Sequence, residues 1–305
     1  MAESKEQKVD LVICGSAALD NIKTPFGKIK SALGGSAIYA SIAASHFAKP
    51  GIISIVGRDF NNSNLKTLKR KGIDLSGLSR KGKTFKWEGY YEFDMNEAKT
   101  VATKLNALEN YKPVIPPEYT VTKFLLLANI DPDIQIEVAQ NCPRAFIVLD
   151  TMNFWISNKK KQLINAIKLA DLLVLNDAEA REFCKEVNLV KAAKTILRLG
   201  PKSVIIKKGE HGALLFSDNE HFSAAGYPLE EVKDPTGAGD SFAGALVGYL
   251  AKQGKTDEKT IRRATVCASV VASFTTEDFS IKRLIKITNK DIKERYEIFK
   301  KIRKF

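Results

Sequence analysis

The segment Asp234–Tyr249, with the sequence DPTGAGDSFAGALVGY, places a carboxylate directly after a turn of small residues. Pro235 fixes φ and Gly237 permits a turn conformation that a Cβ would resist. After Asp240, apolar residues recur at i, i+3, i+4 and i+7, which predicts a helix. Amides at the start of a helix attract anions, and a carboxylate beside a bound anion is suited to accept a proton from an attacking hydroxyl. The segment therefore predicts an anion site with Asp240 as general base.

A capped core helix that follows a glycine turn is the alternative interpretation. It accounts for Asp240 and for the apolar stripe, since carboxylates are common in the first turn of a helix. It does not explain why Gly237, Ala238 and Gly239 all lack a side chain larger than methyl. We therefore favour anion binding.

The same residues resemble the carboxyl-terminal signature of the PfkB/ribokinase family of sugar and nucleoside kinases, D-T-x-G-A-G-D-x-F. The resemblance implies that the amides of Gly237, Ala238 and Gly239 hold the transferring phosphoryl group and that Asp240 deprotonates the acceptor hydroxyl. Weaker motifs continue it from Gly15 to about Phe279. It thus covers most of the chain.

Short apolar runs alternate with helical patterns through most of the sequence. The runs are Val9–Cys14, Ile52–Val56, Phe124–Leu127, Phe146–Leu149, Leu172–Leu175 and Val204–Ile206, and the helical patterns are Gly35–Phe47, Ser63–Lys71, Asp133–Gln140, Lys160–Ala170, Ala178–Val187 and Leu189–Leu199. This alternation predicts an α/β fold with a mostly parallel sheet, whose ligands bind beyond the carboxyl ends of the strands. The resemblance implies a ribokinase-like three-layer sandwich, formed by residues 1–305 as one kinase domain.

Two segments, at about 20–33 and 84–106, break the alternation. The second has aromatic residues two positions apart and a polar turn, which predicts an antiparallel hairpin. The resemblance implies that both segments form a small β-lid over the ligand edge of the sheet. An ordinary surface hairpin is the alternative, but the aromatics favour packing against a ligand or against a partner subunit in a homodimer.

The acceptor site is predicted near the first strand. Gly34 and Gly35 open a helix and allow a polyhydroxylated ligand to approach the backbone, although a plain turn fits the residues equally well. The resemblance implies that these glycines and Asp20 grip the hydroxyls of the acceptor. Tyr39 stands where the family often has an asparagine, and its ring favours a nucleoside, on whose base it would stack.

Two later strands end in polar residues that we also assign to the acceptor. Asn129 and Asp150 follow apolar runs, although a turn explains Asn129 as well. The resemblance implies an aspartate followed closely by an asparagine near the phosphates, and Asp150 and Asn153 occupy these positions here. The arginine that usually follows this motif is replaced by Trp155.

The nucleotide site is predicted from three further motifs. Asn176 and Glu179 fit an N-x-x-E pattern, which implies that they order water around Mg²⁺, although helix capping explains Asn176 too. The segment KKGEHG resembles a K-x-G-x-x-G turn beside the nucleotide. The residues assigned to the cofactor are Asn176, Lys208, Gly209, Gly212, Thr236, Gly237 and Gly239, with Glu179 acting on Mg²⁺ through water. The implied cofactors are ATP and Mg²⁺, with a monovalent cation such as K⁺ beside Asp234.

Composition excludes several classes of protein. The net charge of +13 comes from dispersed lysines without a recognition motif, so we expect no nucleic-acid partner. The polar amino terminus has no apolar core, and no run approaches the roughly 20 residues that span a bilayer. A cytoplasmic location is predicted from these two features. Four widely spaced cysteines predict buried, reduced thiols.

The motifs together predict an ATP-dependent kinase that transfers the γ-phosphate to a hydroxyl of a small sugar or sugar-like acceptor. A nucleoside kinase of the adenosine or cytidine type is the alternative on the same scaffold. A non-catalytic nucleotide-binding regulatory protein is the alternative from another class, because a fold does not fix a function. The intact glycine turn with Asp240 argues against this third interpretation.

Overall fold

The computed structural model describes residues 9–218 and 220–302. Its strands are β1 (Leu11–Cys14), β2 (Ala18–Thr24), β3 (Gly27–Gly34), β4 (Pro50–Val56), β5 (Asp74–Arg80), β6 (Lys86–Tyr90), β7 (Lys99–Lys104), β8 (Phe124–Leu127), β9 (Phe146–Asp150), β10 (Leu172–Asn176), β11 (Ser203–Lys207), β12 (Ala213–Ser217) and β13 (His221–Ala224). Its α-helices are α1 (Ser36–Ala44), α2 (Asn62–Arg70), α3 (Pro132–Asn141), α4 (Asn153–Asn158), α5 (Lys160–Ile167), α6 (Asp177–Cys184), α7 (Leu189–Leu197), α8 (Ala238–Gln253), α9 (Glu258–Thr275) and α10 (Asn289–Ile302).

The larger sheet has nine strands in the order β13-β12-β11-β10-β9-β8-β1-β4-β5. The seven strands from β11 to β5 are parallel, and β12 and β13 extend one edge in antiparallel orientation. The predicted α/β fold with a mostly parallel sheet is confirmed, and each of the six predicted strands is present. Because Lys207 pairs with Asn176, and Asp150 with Val174, the carboxyl ends of β9, β10 and β11 meet at one edge.

Helices cover both faces of this sheet and form the three layers. In β1, Leu11 and Ile13 join one hydrophobic cluster, whereas Val12 and Cys14 join the other. All four are fully buried. A strand between two helical layers has no polar face, so its sequence is continuously apolar.

Helices α1 and α8 lie side by side on one face. A Cβ built on Gly244 would overlap the backbone of Ala40, and one on Gly248 would lie 2.8 Å from Ala44 Cα. These glycines allow the two helix backbones to approach closely. The close packing brings Gly35, before α1, and Gly237, before α8, to the same end of the helix pair.

The second sheet has four strands in the order β3-β2-β6-β7. It is built from the two segments that break the alternation, and the antiparallel hairpin predicted within 84–106 is present as β6 and β7. The segment that leads into β6 is held by Thr84, whose amide and hydroxyl both donate to Asp59 Oδ1 at 2.7 Å. That residues 1–305 act as a single domain, with these segments as its lid, stays a prediction.

Two further predictions concern the whole chain. No helix among the described residues is both long and apolar enough to cross a bilayer. All four cysteines are free, and three of them are buried. The predicted polar amino terminus falls largely on residues 1–8, which lie outside the described residues.

Candidate active site

The glycine turn forms the start of α8, as predicted. Gly237 adopts a φ of 78°, and no described side chain caps the helix. The Ala238 amide donates to Pro235 O at 3.1 Å, which closes the turn. A Cβ on Gly237 would overlap the ring of Tyr39, so glycine is required here by both backbone conformation and packing. The uncapped amides of the first helical turn remain suited to an anion.

Asp234 holds the turn in place from a fully buried position. Its Oδ1 accepts from the Thr236 amide at 3.0 Å, and its Oδ2 accepts from the Ser280 amide at 3.2 Å. Burial raises the pKa of this carboxyl group, while these amides oppose the rise. The carboxylate therefore links the segment before α8 to the segment after α9. Its assignment to a monovalent cation stays a prediction.

Asp240 lies in the first turn of α8 and retains partial exposure to solvent. Burial and the nearby carboxylate of Asp150 raise its pKa to about 7, against the opposing charge of Lys207. A carboxylate with such a pKa is a better proton acceptor near neutrality than an ordinary aspartate.

Lys207 is the charged residue that the sequence analysis did not select. It ends β11, its side chain is only 16% exposed, and its Nζ lies 3.1 Å from Asp150 Oδ1. A Cβ built on Gly239 would lie 3.0 Å from the same Nζ. The K-x-G-x-x-G pattern starts at Lys207, so the motif itself indicates this lysine. The sequence-based prediction for the nucleotide site names its neighbour Lys208 instead.

The turn after β11 contains Lys208, Gly209 and Gly212, the three residues of this segment that are predicted to bind the nucleotide. The Lys208 amide donates to Gly212 O at 2.7 Å, and Gly209 and Gly212 both adopt positive φ. A Cβ on Gly209 would lie 2.7 Å from Asn96 Oδ1, in the β6–β7 loop. The tip of the second sheet therefore lies against this turn.

Asn176 and Glu179 form a reciprocal cap at the start of α6. Asn176 Oδ1 accepts from the Glu179 amide, and Glu179 Oε2 accepts from the Asn176 amide, both at 2.7 Å. Asn176 therefore does cap α6. The same cap orients Glu179 at the sheet edge where Lys207 also lies. Burial raises the pKa of Glu179 to about 7, against the charge of Lys207.

These side chains fit Mg²⁺ only in an indirect way. Within residues 9–218 and 220–302, no three His, Cys, Asp or Glu side chains are arranged to hold a metal ion themselves. The carboxylates of Asp150, Glu179 and Asp240 nevertheless all act electrostatically on Lys207. Magnesium commonly keeps several waters and binds phosphates with one or two carboxylates, and this cluster supplies such groups.

Asp20 and Tyr39 leave polar atoms without partners beside the glycine turn. Asp20 is 4% and Tyr39 is 1% exposed, and neither Asp20 Oδ1 nor Tyr39 Oη has a hydrogen-bond partner in the described part of the chain. Burial, followed by the charges of Asp240 and Asp234, raises the pKa of Asp20 to about 8. A buried polar atom without a partner is costly, so a ligand hydroxyl would stabilise it.

Of the two glycines assigned to the acceptor, Gly34 lies against Asp20 and Gly35 lies against the backbone of Ser16. A Cβ on Gly34 would overlap the Asp20 carboxylate, and Gly35 adopts a φ of 92°. Glycine is therefore required at both positions. Tyr39, in contrast, lies beneath Gly237 rather than on an open surface.

Asn129 lies at the same sheet edge, but its side chain is already engaged. Trp155 Nε1 donates to its Oδ1 at 2.8 Å, and its Nδ2 lies 3.1 Å from Met152 Sδ. Its contact with an acceptor stays a prediction.

Tyr91 brings the second sheet onto the glycine turn. The hydroxyl of Thr236 lies 3.2 Å from Tyr91 Oη, immediately after β6. Together with the contact of Asn96 at Gly209, this places the sheet against the glycine turn and against the turn after β11.

Known proteins share this sequence pattern and fold. The model of the pfkB family carbohydrate kinases matches residues 10–280. A cytidine kinase of Thermococcus kodakarensis is 28% identical over 261 residues, which is 83% of this chain and 92% of the relative. A nucleoside kinase of Methanocaldococcus jannaschii, an archaeal member of the ribokinase family, has a TM-score of 0.77 at 19% identity, covering 95% of this chain and 98% of its own.

A third relative was solved with ligands. The Burkholderia thailandensis nucleoside kinase, in complex with ADP-inosine, has a TM-score of 0.76 at 19% identity and covers 94% of this chain and 95% of its own. At such identities these structures establish the shared fold. Since the family model spans most of the chain, the protein belongs to the pfkB family of carbohydrate kinases and is a phosphotransferase with an alcohol group as acceptor.

Proposed function

We propose that this kinase transfers the γ-phosphate of ATP to a hydroxyl of a small sugar-like acceptor, and that the acceptor is a nucleoside. The observation that carries the proposal is Asp240, a partly exposed carboxylate with a raised pKa at the uncapped start of α8. The nucleoside is favoured because the relatives described above are named cytidine kinase and nucleoside kinase.

The acceptor binds on the side of Asp20. Its ribose hydroxyls satisfy Asp20 Oδ1 and Tyr39 Oη, which are buried without partners among the described residues. Gly34 allows the Asp20 carboxylate to lie against the backbone, because a Cβ there would overlap it, and Gly35 allows the close approach of the Ser16 backbone. The binding free energy gained there orients the reacting hydroxyl toward Asp240.

Asp240 then accepts the proton of this hydroxyl as its oxygen attacks the γ-phosphorus. The amides at the start of α8, other than that of Ala238, which donates to Pro235 O, stabilise the charge on the transferring group. Asn176 and Glu179 orient the water around the phosphates, where bound Mg²⁺ neutralises phosphate charge. No covalent enzyme intermediate is required.

The second sheet serves as the lid in this proposal. Its contacts through Tyr91 and Asn96 reach the glycine turn and the turn after β11. Closure excludes water, so that ATP is not hydrolysed instead of transferred. The four free cysteines support a cytoplasmic location, where thiols remain reduced.

Asp240→Asn tests the proposal directly. We expect the variant to bind Mg-ATP with an affinity close to that of the native protein, while ADP release with a panel of nucleosides and sugars falls about a thousandfold. Calorimetry measures the binding and a coupled assay measures the release. Turnover at the native rate would refute the role of Asp240.

Asp257→Asn is a matched control, because this exposed aspartate caps α9 and asparagine preserves a cap. It should leave turnover unchanged. A native protein that binds ATP but phosphorylates no member of the panel would favour the regulatory alternative.

We also propose that the exposed side of the lid pairs with a second copy of the chain. Phe26 in the β2–β3 turn, Phe93 in the β6–β7 loop and Val101 in β7 are 61%, 87% and 60% exposed. Such exposed apolar groups are typical of contact surfaces. Sedimentation equilibrium should show a dimer that Phe93→Ser weakens; a monomer at all concentrations would exclude this pairing.

A further inference from the structure

The ammonium group of Lys207 lies where three parts of the site meet. Its Nζ is 3.1 and 3.4 Å from the two carboxylate oxygens of Asp150. It also lies 3.0 Å from the position of a Cβ on Gly239, in the uncapped first turn of α8. This lysine therefore contacts the turn to which an anion is expected to bind.

The surroundings keep this lysine charged. Burial acts to lower the pKa of Lys207, but the carboxylates of Asp150, Glu179 and Asp240 together raise it above its ordinary value. A structural ion pair with Asp150 would need only one of these carboxylates. The arrangement instead gathers three acidic groups around a single ammonium.

The position of this ammonium is unfavourable for a purely structural lysine. The start of a helix carries a partial positive charge, so a cation there is destabilised by the helix dipole. The ammonium and the free amides of α8 instead add their positive potential at one point. An anion bound at that point would be stabilised by both.

The backbone conformation of Gly239 supports the same role. Unlike Gly237, it does not adopt a positive φ, so its backbone conformation alone does not require glycine. The nearest atoms that a Cβ would meet are Lys207 Nζ at 3.0 Å and Lys207 Cε at 3.8 Å. The absence of a side chain at Gly239 thus leaves space for the ammonium.

We propose that Lys207 is a catalytic residue that binds the transferring γ-phosphoryl group, an inference that rests on the proposed kinase function. The acceptor oxygen forms a bond to the γ-phosphorus as its proton passes to Asp240. The bond from this phosphorus to the β–γ bridging oxygen breaks, and its electron pair leaves with ADP. Lys207 donates hydrogen bonds to the equatorial oxygens and keeps its proton throughout. Asp150 holds the ammonium in place when no phosphate is bound.

Lys207→Met tests this role, because it removes the charge and largely keeps the length of the side chain. The probes are ADP with Mg²⁺, and the same mixture with aluminium fluoride, which imitates the transferring phosphoryl group. We expect the affinity for ADP to change less than threefold and the additional affinity given by aluminium fluoride to fall about a hundredfold. This readout does not depend on knowing the acceptor.

Lys202→Met is the matched control. Lys202 lies just before the opposite end of β11, and its side chain is 81% exposed beside Asp171. The control should retain the native response to aluminium fluoride. Should Lys207→Met unfold because Asp150 is left unpaired, the double variant with Asp150→Asn removes both charges and is measured in the same way.

Gly239→Ala provides a second test of the same proposal. Alanine should move the ammonium by a few tenths of an ångström and weaken aluminium fluoride binding without lowering the melting temperature by more than a few degrees. In the Lys207→Met background the same change should have little further effect.

Two outcomes would overturn the inference. One is native aluminium fluoride binding by Lys207→Met, and the other is equal weakening of ADP and of ADP with aluminium fluoride, which would indicate a structural role. If aluminium fluoride does not tighten ADP binding even to the native protein, the proposed function itself fails, and the inference fails with it.

Discussion

Asp240 and Lys207 illustrate how the ionisation of single residues is set by their neighbours. Asp150 is near both, and it raises the pKa of Asp240 and of Lys207 alike. For the aspartate this favours the protonated form, whereas for the lysine it favours the charged form. The pKa of each residue therefore depends on Asp150, and residue type alone does not predict it.

The pH dependence of turnover follows from the pKa of Asp240, which is about 7. Only the ionised carboxylate accepts a proton, so kcat/KM should fall about tenfold for each pH unit below 7 and level off above it. Because Lys207 lowers this pKa, Lys207→Met should move the midpoint to higher pH. A flat profile from pH 5 to 8 would contradict the assignment of Asp240 as the base.

At the scale of elements, the site depends on how closely α1 and α8 approach. Their amino-terminal ends carry Gly35 and Gly237, and the ring of Tyr39 in α1 supports the glycine turn of α8. Gly244 allows this approach at the helix crossing. The two halves of the predicted site are therefore joined by packing between helices.

Substitution of Gly237 measures this packing. Gly237→Ala should lower the free energy of unfolding by about 1 kcal/mol or more for its positive φ and by a further amount for the overlap with Tyr39. Gly72→Ala is the matched control, since Gly72 has a φ of 74° and no atom of the described residues lies within 4 Å of its added Cβ. Denaturant unfolding compares the two, and equal losses would show that Tyr39 does not constrain the turn.

For the whole molecule, the clustered acids of the site reduce stability as pH rises. The pKa of Asp20 rises from an ordinary value of 3.8 to about 8 in the folded protein, and those of Glu179 and Asp240 rise to about 7. A group whose pKa is raised on folding contributes stability below its unfolded pKa and loses that contribution as pH passes through its folded pKa. The ionised carboxylate of Asp240 that the reaction requires therefore forms at a pH at which the folded protein is less stable.

Asp20→Asn tests this opposition, because asparagine cannot ionise. Its melting temperature should equal that of the native protein near pH 4. The variant should then become progressively more stable than the native protein up to about pH 8, by more than about 1 kcal/mol. Calorimetric scans across this range make the comparison, and a difference that does not change with pH would exclude a raised pKa at Asp20.

The sequence by itself determined six strands of the larger sheet, the helices that alternate with them and the glycine turn. These features are local. Continuous apolar runs identify strands that are buried on both faces, and the glycine turn is formed by consecutive residues. It also identified Asp240, because this residue lies within the same short segment as the turn.

The tertiary structure alone decided which other side chains meet Asp240. Lys207 and Lys208 are adjacent in sequence, but Lys207 is the last residue of β11 and extends to Asp150, whereas the next residue already belongs to the turn. Likewise, Tyr39 lies beneath Gly237, and Asn129 is held by Trp155. These contacts join residues that are between 26 and 198 positions apart. Contacts over such separations depend on strand order and helix packing, which no local pattern specifies.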